Sequence, residues 1–355
     1  MQLVDTIRIQ KAKYTRLQDA DLDQLEFGQY VSDHMFLCTY EQGAWNNPQV
    51  IPFQDLTVSP TALVLHYGQS VFEGMKAFRM KDGSVNIFRL QKHHERFNRS
   101  LDRMCMPAIP FELFQSALQE LVRTDRDWVP GKKGSALYLR PFVFATEARF
   151  GVKVSDEYKF VIITGPVPLM YPRPIKVKVE RNYIRAAKGG TGYAKCAGNY
   201  AAAFYPTQIA KNEGFDQILW TDASQHEFFE ESGTMNLMFV IDGTLLTPPL
   251  SDSILDGVTR DSLLQIARDR GIPTEERPVS ITELLMAFKQ GTVSEVFGVG
   301  TAAVVAPISH IGIDQEIFQL PDYSENQIFQ LLRQELETIR TGGKEDVYGW
   351  NHVID

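Results

Sequence analysis

Apolar positions recur at helical spacing in two segments of the first half, LQKHHERFNRSLDRM (90–104) and PFELFQSALQELVRTDRDW (110–128). In the second of these, Leu113, Leu118 and Leu121 fall on one face, the stripe that a helix buries. Shorter apolar runs read as strands: ALVLHYG (62–68), SALYLRPFVFATE (135–147) and YKFVIITG (158–165). MKAFRMKDGSVNIFRL (75–90) reads as a hairpin turning at Asp82-Gly83.

In the second half, GNYAAAFYPTQIAKNEG (198–214) predicts a helix with Gly214 at the left-handed cap position. GVTRDSLLQIARDRG (257–271) predicts another, stopped by Gly271. QILWTD (217–222), MNLMFVIDGTLLTP (235–248) and VSEVFGVG (293–300) are strand-like. Strands and helices are mixed rather than strictly alternating, which predicts an α+β fold instead of a doubly wound parallel sheet. Pro166, Pro168, Pro172 and Pro174 crowd one short span, and repeated prolines resist helix and central strand. That span predicts a connector over 166–176, between a smaller domain at 1–165 and a larger one at 177–355.

Composition changes this picture little. At 355 residues, 44% hydrophobic and 23% charged, the chain has the make-up of a globular protein large enough for two cores. A net charge of −8 argues against phosphate-backbone binding, so no nucleic-acid partner is expected. The opening MQLVDTIRIQKAKYTRLQDADLDQ is interrupted by charges and lacks a signal-peptide core, and no apolar run is long enough to span a bilayer. Cys38, Cys105 and Cys196 are few and widely spaced, which fits a reduced, cytoplasmic protein without a cysteine zinc site. No metal is expected.

Four segments carry candidate chemistry. Lys195 stands among small residues in GGTGYAKCAGNYAAAFYP (189–206), where desolvation would favour the neutral amine that forms Schiff bases. A salt-bridged lysine is the competing reading. In FFEESGTMNLMFV (228–240), Glu230 or Glu231 could pair with a protonated ring nitrogen or form a solvated edge. Gly257-Val258-Thr259 opens a helix, whose free N–H groups favour an anion such as phosphate, although Thr259 also suits a plain N-cap. FGVGTAAVVAPIS (297–309) matches GxGxxA, but AVVAPIS is β-branched and reaches Pro307, so no helix follows and the dinucleotide reading fails. A glycine turn with Thr301 can instead offer N–H groups to an anion.

A reactive lysine, an anion cradle, a carboxylate and a second anion-binding turn together describe a pyridoxal phosphate site. In this order, LHYGQSVFEGMKAF, ERFNRS, LYLRPF, AKCAGNYA, EESGTMN, ILDGVTR and GTAAVVAP resemble the branched-chain amino-acid aminotransferases of fold type IV over nearly the whole chain. The resemblance implies a small N-terminal α/β domain and a larger cofactor-binding domain with a barrel-like sheet. It implies pyridoxal 5'-phosphate held on Lys195 as a Schiff base, with the same lysine then moving the substrate proton. Tyr200 is implied at the phenolic oxygen of the cofactor and Glu231 at its pyridine nitrogen. Arg96, Val258, Thr259 and Thr301 are implied at the phosphate, and Thr234 near the reacting face.

On the substrate side the resemblance implies an apolar pocket of Phe27, Phe72 and Tyr138 for leucine, isoleucine and valine. Arg140 is implied as a charged fork for the distal carboxylate of glutamate or 2-oxoglutarate. Thr301 and Ala302 would meet the substrate α-carboxylate, helped by Tyr67. Tyr67 and the segment around Phe150 and Val152 would come from a neighbouring subunit, so a homodimer is implied. Ala303 and Ala306 stand where some relatives carry a CxxC pair, so no such redox switch is expected. Met170 or Tyr171 is left to fill the connector position of the pocket. His66, His93, His94 and His310 read as structural or exposed. Other fold type IV activities, D-amino-acid transamination and aminodeoxychorismate lysis, are the alternatives.

Overall fold

The computed structural model describes residues 6–22, 24–171, 173–322, 324 and 327–354. Pro172 of the expected connector, the first five residues of the opening segment and Asp355 lie outside the described residues. The chain divides into two compact units, one of Met1–Met170, Ala194–Gly198 and Thr338–Asp355, the other of Tyr171–Tyr193 and Asn199–Glu337.

The first unit holds strands β1 (Arg8–Ile9), β2 (His34–Glu41), β3 (Ala44–Pro52), β4 (Ser70–Phe72), β5 (Met75–Arg79), β6 (Val85–Phe88), β7 (Ala136–Ala145) and β8 (Tyr158–Val167). Its helices are α1 (Leu63–Tyr67), α2 (Leu90–Arg103) and α3 (Phe111–Thr124). The sheet runs β1-β3-β2-β8-β7-β5-β6, with β4 on β7, and a last strand from the C-terminus beyond β6. Leu113, Phe114, Ala117, Leu118, Leu121 and Val122 form the buried stripe of α3, as the helical spacing predicts. Phe97, Phe114 and Phe160 meet at the centre of this core, the last two stacked at 6.4 Å.

The second unit holds β9 (Ile175–Val179), β10 (Gln217–Thr221), β11 (Phe229–Ser232), β12 (Met235–Ile241), β13 (Thr244–Thr247), β14 (Thr274–Glu276), β15 (Val293–Gly300), β16 (Val304–Ile313) and β17 (Glu316–Gln319). Its helices are α5 (Phe204–Asn212), α6 (Val258–Asp269) and α7 (Ile281–Gln290), with most of α4 (Gly198–Ala201) and of α8 (Ile328–Arg340), whose Gly198 and Thr338–Arg340 are counted in the first unit. The strands follow the order β11-β10-β9-β16-β15-β12, and pairing of β12 back to β11 closes a six-stranded barrel. All seven residues of β12 are buried, which explains its unbroken apolar run. β15 turns directly into β16 with no helix between, so the GxGxxA segment is no dinucleotide fingerprint.

Three expectations are corrected. ALVLHYG is a short helix, α1, because Gly68 takes the left-handed conformation (φ 65°) and donates its N–H to the Val64 carbonyl. A five-residue apolar run cannot by itself distinguish the two forms. GNYAAAFYPTQIAKNEG is two helices, because a helix continued into Pro206 would drive its ring against the Ala202 carbonyl; α5 restarts with Pro206 in its first turn. The C-terminal segment, expected in the larger domain, belongs to the first unit: β18 (Asn351–Ile354) pairs antiparallel with β6, and Asn86 Nδ2 donates to Asn351 Oδ1 at 2.6 Å. Within the expected connector, Pro166 and Val167 close β8, and Ile175 already opens β9.

Candidate active site

In the first unit, Lys195 is stitched to β4 by its backbone. Phe72 N–H donates to the Lys195 carbonyl at 3.0 Å and Ala197 N–H to the Ser70 carbonyl at 3.1 Å, with Val71 opposite Cys196. The Lys195 N–H donates to Ser100 Oγ of α2 at 2.9 Å. Half-buried, the Lys195 ammonium lies 4.9 Å from the centre of the Phe72 ring.

Phe72 also carries Arg140, whose guanidinium sits 4.7 Å over its ring and 5.1 Å over that of Tyr138. Arg140 Nε is buried without a hydrogen-bond partner among the described residues. Phe27 meets Tyr138 edge-on at 5.1 Å, and Phe27, Tyr138 and Arg140 line a cavity of 160 Å³ closed by Ile163, Thr164 and Val167. Gly74 makes room for this wall, since a Cβ there would stand 2.0 Å from the Tyr138 hydroxyl.

Beside it lies a fully buried carboxylate that the sequence reading left without a role. Glu73 accepts from Arg96 Nε at 2.8 Å and Nη2 at 2.5 Å, and its Oε1 is 3.3 Å from His93 Nδ1. Burial opposes ionisation of Glu73, yet the Arg96 guanidinium and His93 together hold its carboxyl well below the usual carboxylate range. For His93, burial outweighs Glu73 and lowers its pKa. His93 is buried beside this pair, and Arg96 is anchored by two of its nitrogens.

In the second unit, Glu231 on β11 accepts from Leu255 N–H at 2.7 Å, and its other oxygen lies 3.2 Å from Arg185 Nε, an ion pair without hydrogen-bond geometry. Arg185 Nη2 donates to the Gly192 carbonyl at 3.2 Å and to the Ser253 carbonyl. Glu230 is buried as well, so it is no solvated edge: it accepts from Ser253 Oγ, and burial raises its pKa to about 7. Gly257 caps α6 without a side chain, and a Cβ there would meet Asn236 Oδ1 at 1.8 Å. Val258 and Thr259 are buried in the first turn of α6, whose N–H groups favour an anion.

Thr301, Ala302 and Ala303 form the turn between β15 and β16, and Val304 beyond it has φ +62°, a strained value for a β-branched residue. Thr234 is exposed at the β11–β12 hairpin and Tyr200 half-buried in α4. Tyr171 packs on the second core and Met170 is partly exposed. Tyr67 ends α1, and Tyr67, Leu65, Phe150 and Val152 are all exposed. Among the described residues no cluster of metal-ligating side chains occurs. Sequence reasoning missed Glu73, Ser100 and Arg185; the one available signal was a glutamate inside the apolar run SVFEGM (70–75).

The family model for amino-transferase class IV matches residues 70–311. The chain belongs to the class IV aminotransferases. It is 44% identical to the branched-chain-amino-acid transaminase 1 of Bacillus subtilis, over 93% of this chain and 94% of that protein. Among solved structures, the branched-chain aminotransferase of Thermoproteus uzoniensis with norvaline aligns with a TM-score of 0.74 at 26% identity, covering 91% of this chain and all of that one. The T.th. branched-chain amino acid aminotransferase complexed with N-(5'-phosphopyridoxyl)-L-glutamate aligns at 0.71 and 26% identity, over 89% of this chain and 97% of that one. The class IV aminotransferase catalyses branched-chain amino-acid transamination with pyridoxal 5'-phosphate as cofactor.

Proposed function

We propose that this aminotransferase moves the amino group of L-leucine, L-isoleucine or L-valine to 2-oxoglutarate, reversibly, with Lys195 as the residue that bonds the cofactor aldehyde. The observation that carries the reading is Arg140: a half-buried arginine whose Nε is buried without a partner among the described residues, set on two aromatic rings at a small apolar cavity. Such a wall accepts a branched apolar side chain, and the same cation neutralises a distal carboxylate that would otherwise be buried unpaired. The T.th. relative, complexed with a phosphopyridoxyl-L-glutamate, supports glutamate as the second substrate.

The bound cofactor supplies the electron sink for the carbanion that transamination requires. Lys195 provides the amine and carries the substrate proton. Glu231, anchored by Leu255 N–H and Arg185, pairs with the pyridine nitrogen, and Tyr200 donates to the phenolic oxygen. Arg96, Thr301 and the first-turn N–H groups of Val258 and Thr259 hold the phosphate. Thr234 flanks the reacting face. Thr301, Ala302 and Tyr67 meet the α-carboxylate, while Phe27, Phe72 and Tyr138 enclose the side chain. The fit rests on an α6 start with no side-chain cap, a half-buried amine on an aromatic face, and a doubly anchored carboxylate.

The exposed group Leu65, Tyr67, Phe150 and Val152 supports a homodimer that covers it. Cytoplasmic location is supported by three free cysteines. No helix among the described residues is long and apolar enough to cross a membrane. The deciding experiment is an absorbance spectrum of the purified protein. L-Leucine should abolish the lysine-bound cofactor band and 2-oxoglutarate restore it; a spectrum indifferent to both would overturn the reading.

A further inference from the structure

Three chain segments of the first unit close into one ring of contacts. Lys195 N–H donates to Ser100 Oγ at 2.9 Å, and Ser100 Oγ donates to the Arg96 carbonyl one turn earlier in α2, at 3.0 Å. The Arg96 guanidinium forks onto Glu73. Glu73 follows Phe72 in the chain, and Phe72 N–H returns to the Lys195 carbonyl at 3.0 Å.

The hydroxyl at Ser100 has a single proton, and its two partners leave it no choice of polarity. A carbonyl can only accept and an amide N–H can only donate, so the hydroxyl donates to Arg96 and accepts from Lys195. Ser100 is 1% exposed, so its hydroxyl finds its partners in the protein and not in water.

We propose that Ser100 is a positioning residue, one that sets the backbone of Lys195 at a fixed distance from the Arg96 guanidinium. The inference rests on the reading of Lys195 and Arg96 as the residues that take the aldehyde and phosphate ends of one cofactor. A rigid cofactor spans two points, so an error in their separation weakens binding directly. With the hydroxyl gone, the Lys195 N–H loses this acceptor, the tie between Lys195 and α2 is cut, and the lysine drifts against its phosphate anchor. The serine touches no reacting atom in this scheme and acts only through its neighbours.

The test uses holoenzyme purified with pyridoxal 5'-phosphate. Borohydride reduction of the wild type, followed by peptide mass spectrometry, should place the phosphopyridoxyl tag on Lys195; a tag elsewhere overturns the lysine assignment itself, and the inference with it. Given that tag, Ser100→Ala should release cofactor on dilution about tenfold faster, as expected for an N–H that loses its hydrogen-bond acceptor. Its trapped fraction on Lys195 should fall in parallel. Ser100→Thr should recover most of both, because a helical threonine can place Oγ1 on the carbonyl four residues back. Should the alanine variant fail to fold, Ser100→Cys keeps the volume, loses most of the acceptor strength and carries the same expectation. A lowered melting temperature with release and trapping at wild-type levels would mean a merely structural serine and would overturn the proposal.

Discussion

Arg140 Nη2 donates to the Tyr138 hydroxyl at 3.1 Å, two residues apart on one face of β7. The period-2 geometry of a strand puts both side chains on the same side, and the aromatic ring then serves as a platform for the cation. Removing the cation should separate the two substrates. Arg140→Ala is expected to reduce kcat/KM for glutamate and 2-oxoglutarate roughly 10- to 100-fold, the range of a charged hydrogen-bonded contact, while leucine changes much less. Stopped-flow measurement of each half-reaction checks this; equal losses for both substrates would show that Arg140 is only a structural brace.

Lys195→Ala is expected to abolish turnover while the protein remains folded. The backbone contacts of residue 195 with Phe72 and Ser100 do not involve the side chain, so the local structure survives the change. Circular dichroism and the two half-reactions together test this. Activity near the wild-type level would remove Lys195 from the chemistry.

The neighbouring glutamates of β11 should behave differently. Glu231→Gln removes the charge that faces Arg185 and is expected to slow proton transfer by orders of magnitude, each tenfold loss corresponding to about 1.4 kcal/mol of barrier. Glu230 has its pKa raised to about 7 by burial, so the folded state holds a proton that the unfolded state releases at lower pH. Its stability penalty is therefore absent below the ordinary carboxylate value, grows as pH rises toward 7 and is complete above it. Glu230→Gln should keep activity and raise stability at pH 8, by at most about 3 kcal/mol. Urea unfolding of both variants at pH 5 and pH 8, beside single-turnover rates, decides which glutamate does which task.

Glu73→Gln is expected to destabilise the protein by about 3–5 kcal/mol, because it leaves the Arg96 guanidinium buried without its carboxylate. In the wild type the lowered pKa of Glu73 means that its contribution is fully present above the ordinary carboxylate value of 4.5 and is lost as pH falls below it. Melting temperature should accordingly drop more steeply below pH 4.5 in the wild type than in the variant. Parallel pH curves would show that the pair contributes nothing.

Much of this molecule was determined by the sequence alone. The helical spacing of 90–104 and 110–128, the Asp82-Gly83 hairpin and the strands through Tyr138 and Tyr158 rest on local periodicity and turn chemistry, which act within a few residues. The failed dinucleotide motif was equally legible, since β-branched residues and Pro307 forbid the helix it needs. The face shared by Tyr138 and Arg140 followed from strand geometry. The family followed from seven ordered motifs, and with it the candidate roles of Lys195 and Glu231.

Tertiary structure decided the rest. Ser100 and Lys195 are 95 residues apart in sequence and Glu73 and Arg96 are 23 apart, and no local pattern links either pair. Burial of Glu73 is tolerable only because Arg96 and His93 reach it from another element, a fact invisible in an apolar run with one glutamate in it. Likewise Glu230 and Glu231 differ by one position in a string of letters, and only the folded structure gives them different partners, Ser253 for one and Leu255 with Arg185 for the other. The C-terminal strand found its edge on β6, far back in the chain, because sheet pairing is set by which edge the folded core leaves open and not by proximity in sequence.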